Sequence, residues 1–249
     1  MHHFSNRPPR SQRVYQVSIG SARFKRIVFA DSHLAASVAA RLQTFASERI
    51  YPGLVLERER ELWVEYIEGE RVQRADDALI DALAGLLCVL MKRSPRRVAL
   101  RETPWLANLE LDLAFLSRVG VLTDAEAERL AAIARERAPA EVWVGYDCTD
   151  AILKNFVWSE GGALRAVDVE SLGADVLLGS GAAKALVRWL GDRRGDFLAR
   201  LKELGAPDFE SYFDFVELSF RAFWQKSSFL EKKRRFIDPA IFAPFLKPR

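Results

Sequence analysis

The sequence predicts an α+β protein of two unequal lobes, a short strand-rich one followed by a larger and mainly helical one. Three observations carry this. Short runs with β-branched or alternating character crowd the chain up to about residue 69. Apolar residues at helical spacing then dominate. Late in the chain a single short hairpin signal interrupts the helices.

The elements follow in order. Residues 1–12 are polar and proline-bearing, without the apolar core of a leader peptide, and read as a flexible terminus in which His2 and His3 are inert. Val14 to Ile19 and Arg23 to Phe29 read as strands around a Gly20-Ser21 turn. Asp31 or Ser32 caps a helix whose apolar positions are Leu34, Val38, Leu42 and Phe45. Pro52-Gly53 ends that unit. Leu54 to Glu57 and Glu61 to Ile67 form a hairpin, with the charged run 57–61 at its solvated end. The boundary between lobes falls near Glu68-Gly69, which divides the chain into 13–69 and 70–249.

Asp76 and Asp77 open a helix with a wide apolar face running to Met91. Pro104 to Val119 is a second helix, and Thr123 with Glu126 has capping-box spacing for a third. Glu141 to Tyr146 is a strand followed by a polar loop. Phe156 to Ser159 and Leu164 to Val169 are short strands around a Glu160-Gly161-Gly162 turn, and helices resume near Gly181. The later aromatics, among them Trp189, Phe197, Phe213, Phe220 and Trp224, read as core. The basic run 231–235 reads as a solvated face.

Composition narrows the function classes. A formal net charge of +3 gives no strong nucleic-acid signal. No apolar stretch is long enough to span a bilayer, which leaves peripheral membrane contact open. The cysteines, Cys88 and Cys148, are too few for a secreted disulfide framework, so a cytoplasmic location is expected. No cluster of Cys and His has metal-ligand spacing.

The chemistry concentrates in residues 146–172. Asp150 is followed five residues on by Asn155 and thirteen beyond that by Asp168. Phosphoryl transfer to a hydroxyl needs a carboxylate to orient the hydroxyl and take its proton, and oxygen ligands to hold Mg²⁺ on the nucleotide phosphates. A loop carrying Asp150 and Asn155 into a hairpin ending at Asp168 can supply all three. Alternation along an extended segment would set Glu170 on the same face as Asp168.

The stretch Cys148-Thr149-Asp150 with Asn155 resembles the catalytic loop of aminoglycoside phosphotransferases and the wider protein-kinase-like superfamily. Val167-Asp168-Val169-Glu170 resembles their metal-binding element. Upstream, Leu62 to Gly69 resembles the strand and hinge of these kinases, with Glu65-Tyr66-Ile67 in the position whose backbone meets adenine. The resemblance implies a bilobal protein-kinase-like fold and an enzyme that uses ATP and Mg²⁺ to phosphorylate a hydroxyl of a small molecule, sugar or lipid-linked saccharide. It implies Asp150 as catalytic base, Asn155, Asp168 and Glu170 as metal ligands, and Lys25, Glu65, Tyr66 and Ile67 at the nucleotide. Lys25 and Arg26 compete for the phosphate-contacting position, and Asp147 is the alternative base.

The sequence departs from the family pattern in several places. Cys148 stands where the loop usually has His. Gly20 is the only glycine between the first two strands. The helix from Ser32 to Phe45 carries no acid to pair with Lys25, and Glu48 comes only after it. These departures favour a second reading, a pseudokinase or nucleotide-binding regulatory module. Nucleotide transfer on the same scaffold and a helical interaction protein are further alternatives.

Overall fold

The computed structural model describes residues 13–247, so the expectations for residues 1–12, His2 and His3 included, lie outside the described residues. The architecture is the predicted one: a β-rich N-terminal region and a mainly helical C-terminal region.

The first sheet holds β1 (Arg13–Ile19), β2 (Ala22–Val28), β3 (Leu54–Arg58) and β4 (Glu61–Glu65) in the order β1-β2-β4-β3, all antiparallel. Its inner face carries Ile27, Leu62 and Val64. Helix α1 (Ser32–Thr44) covers that face with Ala35, Val38, Ala39 and Leu42. Asp31 caps α1 by accepting from the Leu34 backbone N–H at 2.8 Å, as its position predicts. At the far edge β1 is exposed along nearly its whole length.

A three-residue strand, β5 (Gly69–Arg71), follows β4. It pairs not with the first sheet but with β8 (Phe156–Ser159), which in turn pairs with β9 (Leu164–Ala166). Gly69 permits this crossing, since a Cβ there would collide with the Trp158 carbonyl.

The helical region is built from α2 (Asp77–Met91), α3 (Trp105–Arg118), α4 (Asp124–Glu136), α5 (Ser180–Ala185), α6 (Arg194–Glu203), α7 (Phe213–Leu230) and α8 (Ala243–Leu246). The capping box at Thr123 and Glu126 forms, with both reciprocal bonds present. Phe197, Phe213, Phe215 and Phe220 are buried, so these aromatics fill the core.

A third sheet was not anticipated. In it β7 (Glu141–Cys148) runs between β6 (Arg96–Ala99) and β10 (Leu172–Leu177). Between the Asp168 turn and α5 the chain thus forms a strand, β10. Strand β6 is short and half polar. Strand β10 has its alternation broken by a bulge between Gly173 and Val176, with Asp175 at φ 54. Pairing with β7 makes these residues strands, and their local pattern does not.

Candidate active site

Strand alternation decides between Lys25 and Arg26. Lys25 shares a face with Ile27, which is 1% exposed, and lies across from the buried Val64. Its Nζ donates to the Val167 carbonyl at 2.8 Å, one residue before Asp168. Burial lowers the basicity of this ammonium, while the charges of Asp168 and Glu170 pull it back up. Arg26 faces outward. It pairs with Glu61 and lies 5.6 and 5.9 Å from the ring centroids of Tyr15 and Trp63. The fold thus brings Lys25, not Arg26, to the Asp168 loop.

Beyond β7 the chain turns through Asp150 and tightens into a 3₁₀ turn at Leu153–Asn155. Asn155 is buried, and its amide joins the three predicted residues. Its Nδ2 donates to the Asp150 carbonyl at 2.9 Å and to Asp150 Oδ2 at 3.0 Å, and lies 3.5 Å from Asp168 Oδ2. The Val167 N–H donates to the Asn155 carbonyl at 2.8 Å, so the β8–β9 hairpin holds residues far apart in sequence at one end.

Two expectations about this hairpin are corrected. Strand β9 stops at Ala166, and Val169–Ser171 forms a 3₁₀ turn. Asp168 and Glu170 therefore do not alternate along an extended strand. The Glu170 charge acts on Lys25 and on Arg41 of α1. Arg41 donates to the Leu172 carbonyl at 2.7 Å, so α1 points a cation toward the site where an acid was sought. Glu48 pairs with Arg93 instead of Lys25.

The loop rests on a buried polar floor. Asp147 is fully buried and accepts from the backbone N–H groups of Cys148, Gly179 and Gly181 at 2.7, 3.0 and 3.2 Å. Burial pushes its carboxyl up to about 6 against the pull of those donors. This removes Asp147 as the alternative base, because its oxygens bind the start of α5. Gly181 is needed at that contact, since a Cβ there would lie 2.6 Å from the Cys148 carbonyl oxygen.

Cys148 is also fully buried, and burial pushes its thiol up to about 12. Its Sγ lies 3.6 Å from Ser171 Oγ, which meets Tyr51 Oη at 3.1 Å and donates to the Asp168 carbonyl at 2.6 Å. The neutral thiol packs beneath the loop and links it to the Asp168 turn. Both cysteines are free.

Sequence reasoning missed Lys184, which forms an ion pair with Asp150 and lies 3.5 Å from the Thr149 carbonyl. The available signal was a single lysine in the small-residue run Ser180–Ala185. It also missed Trp189, whose Nε1 donates to the Ala151 carbonyl at 2.9 Å.

The predicted hinge residues lie where the chain crosses from the first sheet to the β8–β9 hairpin. Glu65 makes a two-pronged ion pair with Arg165, both bonds at 2.8 Å, and accepts from the Gly53 N–H at 3.1 Å. Arg165 also donates to the Tyr51 carbonyl at 2.8 Å. The Arg165 hydrogen bonds hold the Glu65 carboxyl below its ordinary range, with burial opposing. Tyr66 lies under the Arg23 guanidinium at 4.9 Å, and Ile67 is buried. A cavity of about 310 Å³ lined by Arg97, Trp143, Asp208 and Tyr212 opens at the Glu141 end of β7, the end opposite Cys148.

The donors at this site suit Mg²⁺. That ion takes one or two protein carboxylates and completes its shell with phosphate oxygens and water. Asp168 and the Asn155 amide oxygen fit that demand. Among the described residues no group of three His, Cys, Asp or Glu side chains forms a dedicated metal cage.

No family model matches the chain, and no curated protein matches it in sequence. Solved structures do. Macrolide 2'-phosphotransferase MphH from Brachybacterium faecium is 13% identical with a TM-score of 0.62, the match covering 96% of this chain and 90% of that one. Choline kinase LicA from Streptococcus pneumoniae is 11% identical with a TM-score of 0.64, covering 93% and 86%. An aminoglycoside-3'-phosphotransferase of type VIII is 22% identical with a TM-score of 0.52, covering 84% and 88%. The chain therefore has the kinase-like fold of these phosphotransferases, as the motif resemblance implied.

Proposed function

We propose that this protein is an enzyme that transfers the γ-phosphoryl group of ATP to a hydroxyl of a small molecule, a sugar or a lipid-linked saccharide. The observation that carries the reading is the meeting of Asp150, Asn155 and Asp168 around one amide, at the end of a hairpin that also receives Lys25.

In this reading Asp150 orients the acceptor hydroxyl and takes its proton. The hydroxyl oxygen forms its bond to the γ-phosphorus as the bond to the β,γ-bridging oxygen breaks, and ADP leaves. Asn155 and Asp168 would hold Mg²⁺, with Glu170 close behind. The ion supplies neutralisation of the phosphate charge. Lys25 contributes a second cation on the phosphate side. The backbone of Glu65, Tyr66 and Ile67 would meet adenine, while the Glu65 side chain stays engaged with Arg165. The free thiols are in keeping with a cytoplasmic location.

A regulatory nucleotide-binding module without catalysis is the second reading. It is favoured by α1 carrying no acid to pair with Lys25 and sending Arg41 to the Leu172 carbonyl instead.

Calorimetry with ATP, with and without Mg²⁺, tests both readings. The expected outcome is Mg²⁺-dependent binding that Asp168→Ala abolishes, followed by acceptor phosphorylation that Asp150→Ala abolishes. No binding under any metal condition would sink the phosphotransferase. Binding without turnover of any hydroxyl acceptor would move the regulatory module to first place.

A further inference from the structure

The surroundings of Asp150 on the α5 and α7 side are basic and aromatic. Lys184 pairs with Asp150 and lies 5.9 Å from the Phe220 ring centroid. Phe220 stacks on Trp224 with centroids 6.1 Å apart. The Arg188 guanidinium lies 4.4 Å from the Trp224 centroid and 5.3 Å from that of Phe236. Arg235 lies over Phe236 at 4.7 Å. This series of contacts thus interleaves three cations, Lys184, Arg188 and Arg235, with the rings of Phe220, Trp224 and Phe236.

Arg188 is the unusual member. It is half-buried, yet its five N–H groups have no hydrogen-bond or ion-pair partner among the described residues. Burial lowers its basicity, and the charge of Asp150 opposes this from across the gap. The rings hold the planar guanidinium without satisfying its N–H groups. Of the neighbouring run 231–235, Glu231 is taken by Lys233. Lys232, Arg234 and Arg235 are exposed and carry no ion pair among the described residues. A cationic acceptor would meet Lys184 and Arg188 directly. An oxyanion would give Arg188 the two-pronged partner that its geometry fits.

We propose that Arg188, held between Trp224 and Phe236, with Lys184 beside it, forms an acceptor subsite for a hydroxyl compound bearing a carboxylate or phosphate. The inference rests on the phosphotransferase reading and specifies the acceptor within it. The anion would sit at Arg188, and the reacting hydroxyl would reach back to Asp150 past Lys184. The rings would offer an apolar face to a sugar ring or short aliphatic linker.

Binding without nucleotide tests the subsite independently of catalysis. Intrinsic tryptophan fluorescence, with Trp224 as the local reporter, would be followed with galacturonate, glucose 6-phosphate, glucose and glucosamine at neutral pH. Saturable binding of an anionic sugar about tenfold or more tighter than glucose or glucosamine is expected, the scale of one hydrogen-bonded charge pair. Galacturonate against glucose 6-phosphate separates a sugar-acid acceptor from a phosphorylated one.

Arg188→Gln should remove the preference while keeping the native urea midpoint, and Arg188→Lys should restore part of it. The inference is overturned if no anionic sugar saturates, if glucosamine binds best, or if a folded Arg188→Gln keeps the preference. MgATP calorimetry runs in parallel. An anionic preference without MgATP binding removes the acceptor role through failure of the phosphotransferase reading. MgATP binding without the preference overturns this inference alone.

Discussion

The loop that carries Asp150 and the hairpin that carries Lys25 both meet the Asp168 turn but are held very differently. The loop is braced from below by Asp147 on three backbone N–H groups, by the Cys148–Ser171–Tyr51 contacts and by Trp189 on Ala151. The β1–β2 hairpin is solvated along most of β1 and turns at Gly20-Ser21. One bond from Lys25 to Val167 ties it to the carboxylates. In the proposed reading, a well-braced floor under the acceptor hydroxyl would suit a step that demands close placement of the reacting atoms. The β1–β2 hairpin is the roof, and its outer strand gives it a solvated edge, which in the proposed reading would suit the admission and release of a nucleotide.

The largest expected effect breaks the floor chemically. Asp150→Asn should lower kcat about 10²–10⁴-fold while leaving MgATP affinity intact, read by steady-state kinetics beside calorimetry. An equal loss of nucleotide binding would show that Asp150 belongs to the nucleotide side. Lys25→Met acts on the roof. It should weaken MgATP binding about tenfold or more and leave the urea midpoint close to native, because few core contacts depend on the ammonium.

The comparison sharpens in stability. Gly181→Val forces a side chain against the Cys148 carbonyl and Asp147, and should cost about 1–3 kcal/mol in urea unfolding. Val14→Thr on the exposed β1 should change stability by no more than about 0.5 kcal/mol. Comparable losses at the two positions would erase the distinction between floor and roof.

The smallest effect is a pH dependence at the junction between them. Arg165 lowers the Glu65 carboxyl in the folded state, so the unfolded chain binds its proton more readily. The stabilisation is fully present above the unfolded value of about 4.3 and is lost as pH falls through the lower folded value. Arg165→Met should flatten this part of the stability profile. An unchanged slope would mean that the pair adds nothing to the junction.

Much of this was legible in order and spacing. The β1–β2 and β3–β4 hairpins, the caps at Asp31, Asp76 and Thr123, and the helical run to Met91 all follow from local periodicity and capping chemistry. Asp150, Asn155 and Asp168 stood out because phosphoryl transfer needs groups of those types and because their spacing resembles the kinase-like pattern. Strands β6 and β10 did not stand out, because short polar or bulged segments become strands only beside β7. Lys184, Arg41 and Arg188 escaped for a related reason. A cation on a helix reads as a solvated side chain until the packing of that helix aims it inward.

By itself, then, the sequence determined most of the helices, the hairpins of the first sheet and which residues could carry the chemistry, since these depend on neighbours a few positions apart. The tertiary structure alone decided that Lys25 faces the carboxylates and Arg26 does not, that Glu170 turns toward Lys25 and Arg41, that Asp147 serves the floor, and that Lys184 and Arg188 stand beside Asp150. Those outcomes depend on charges and backbone groups brought together from distant parts of the chain, and no local pattern encodes which of them will meet.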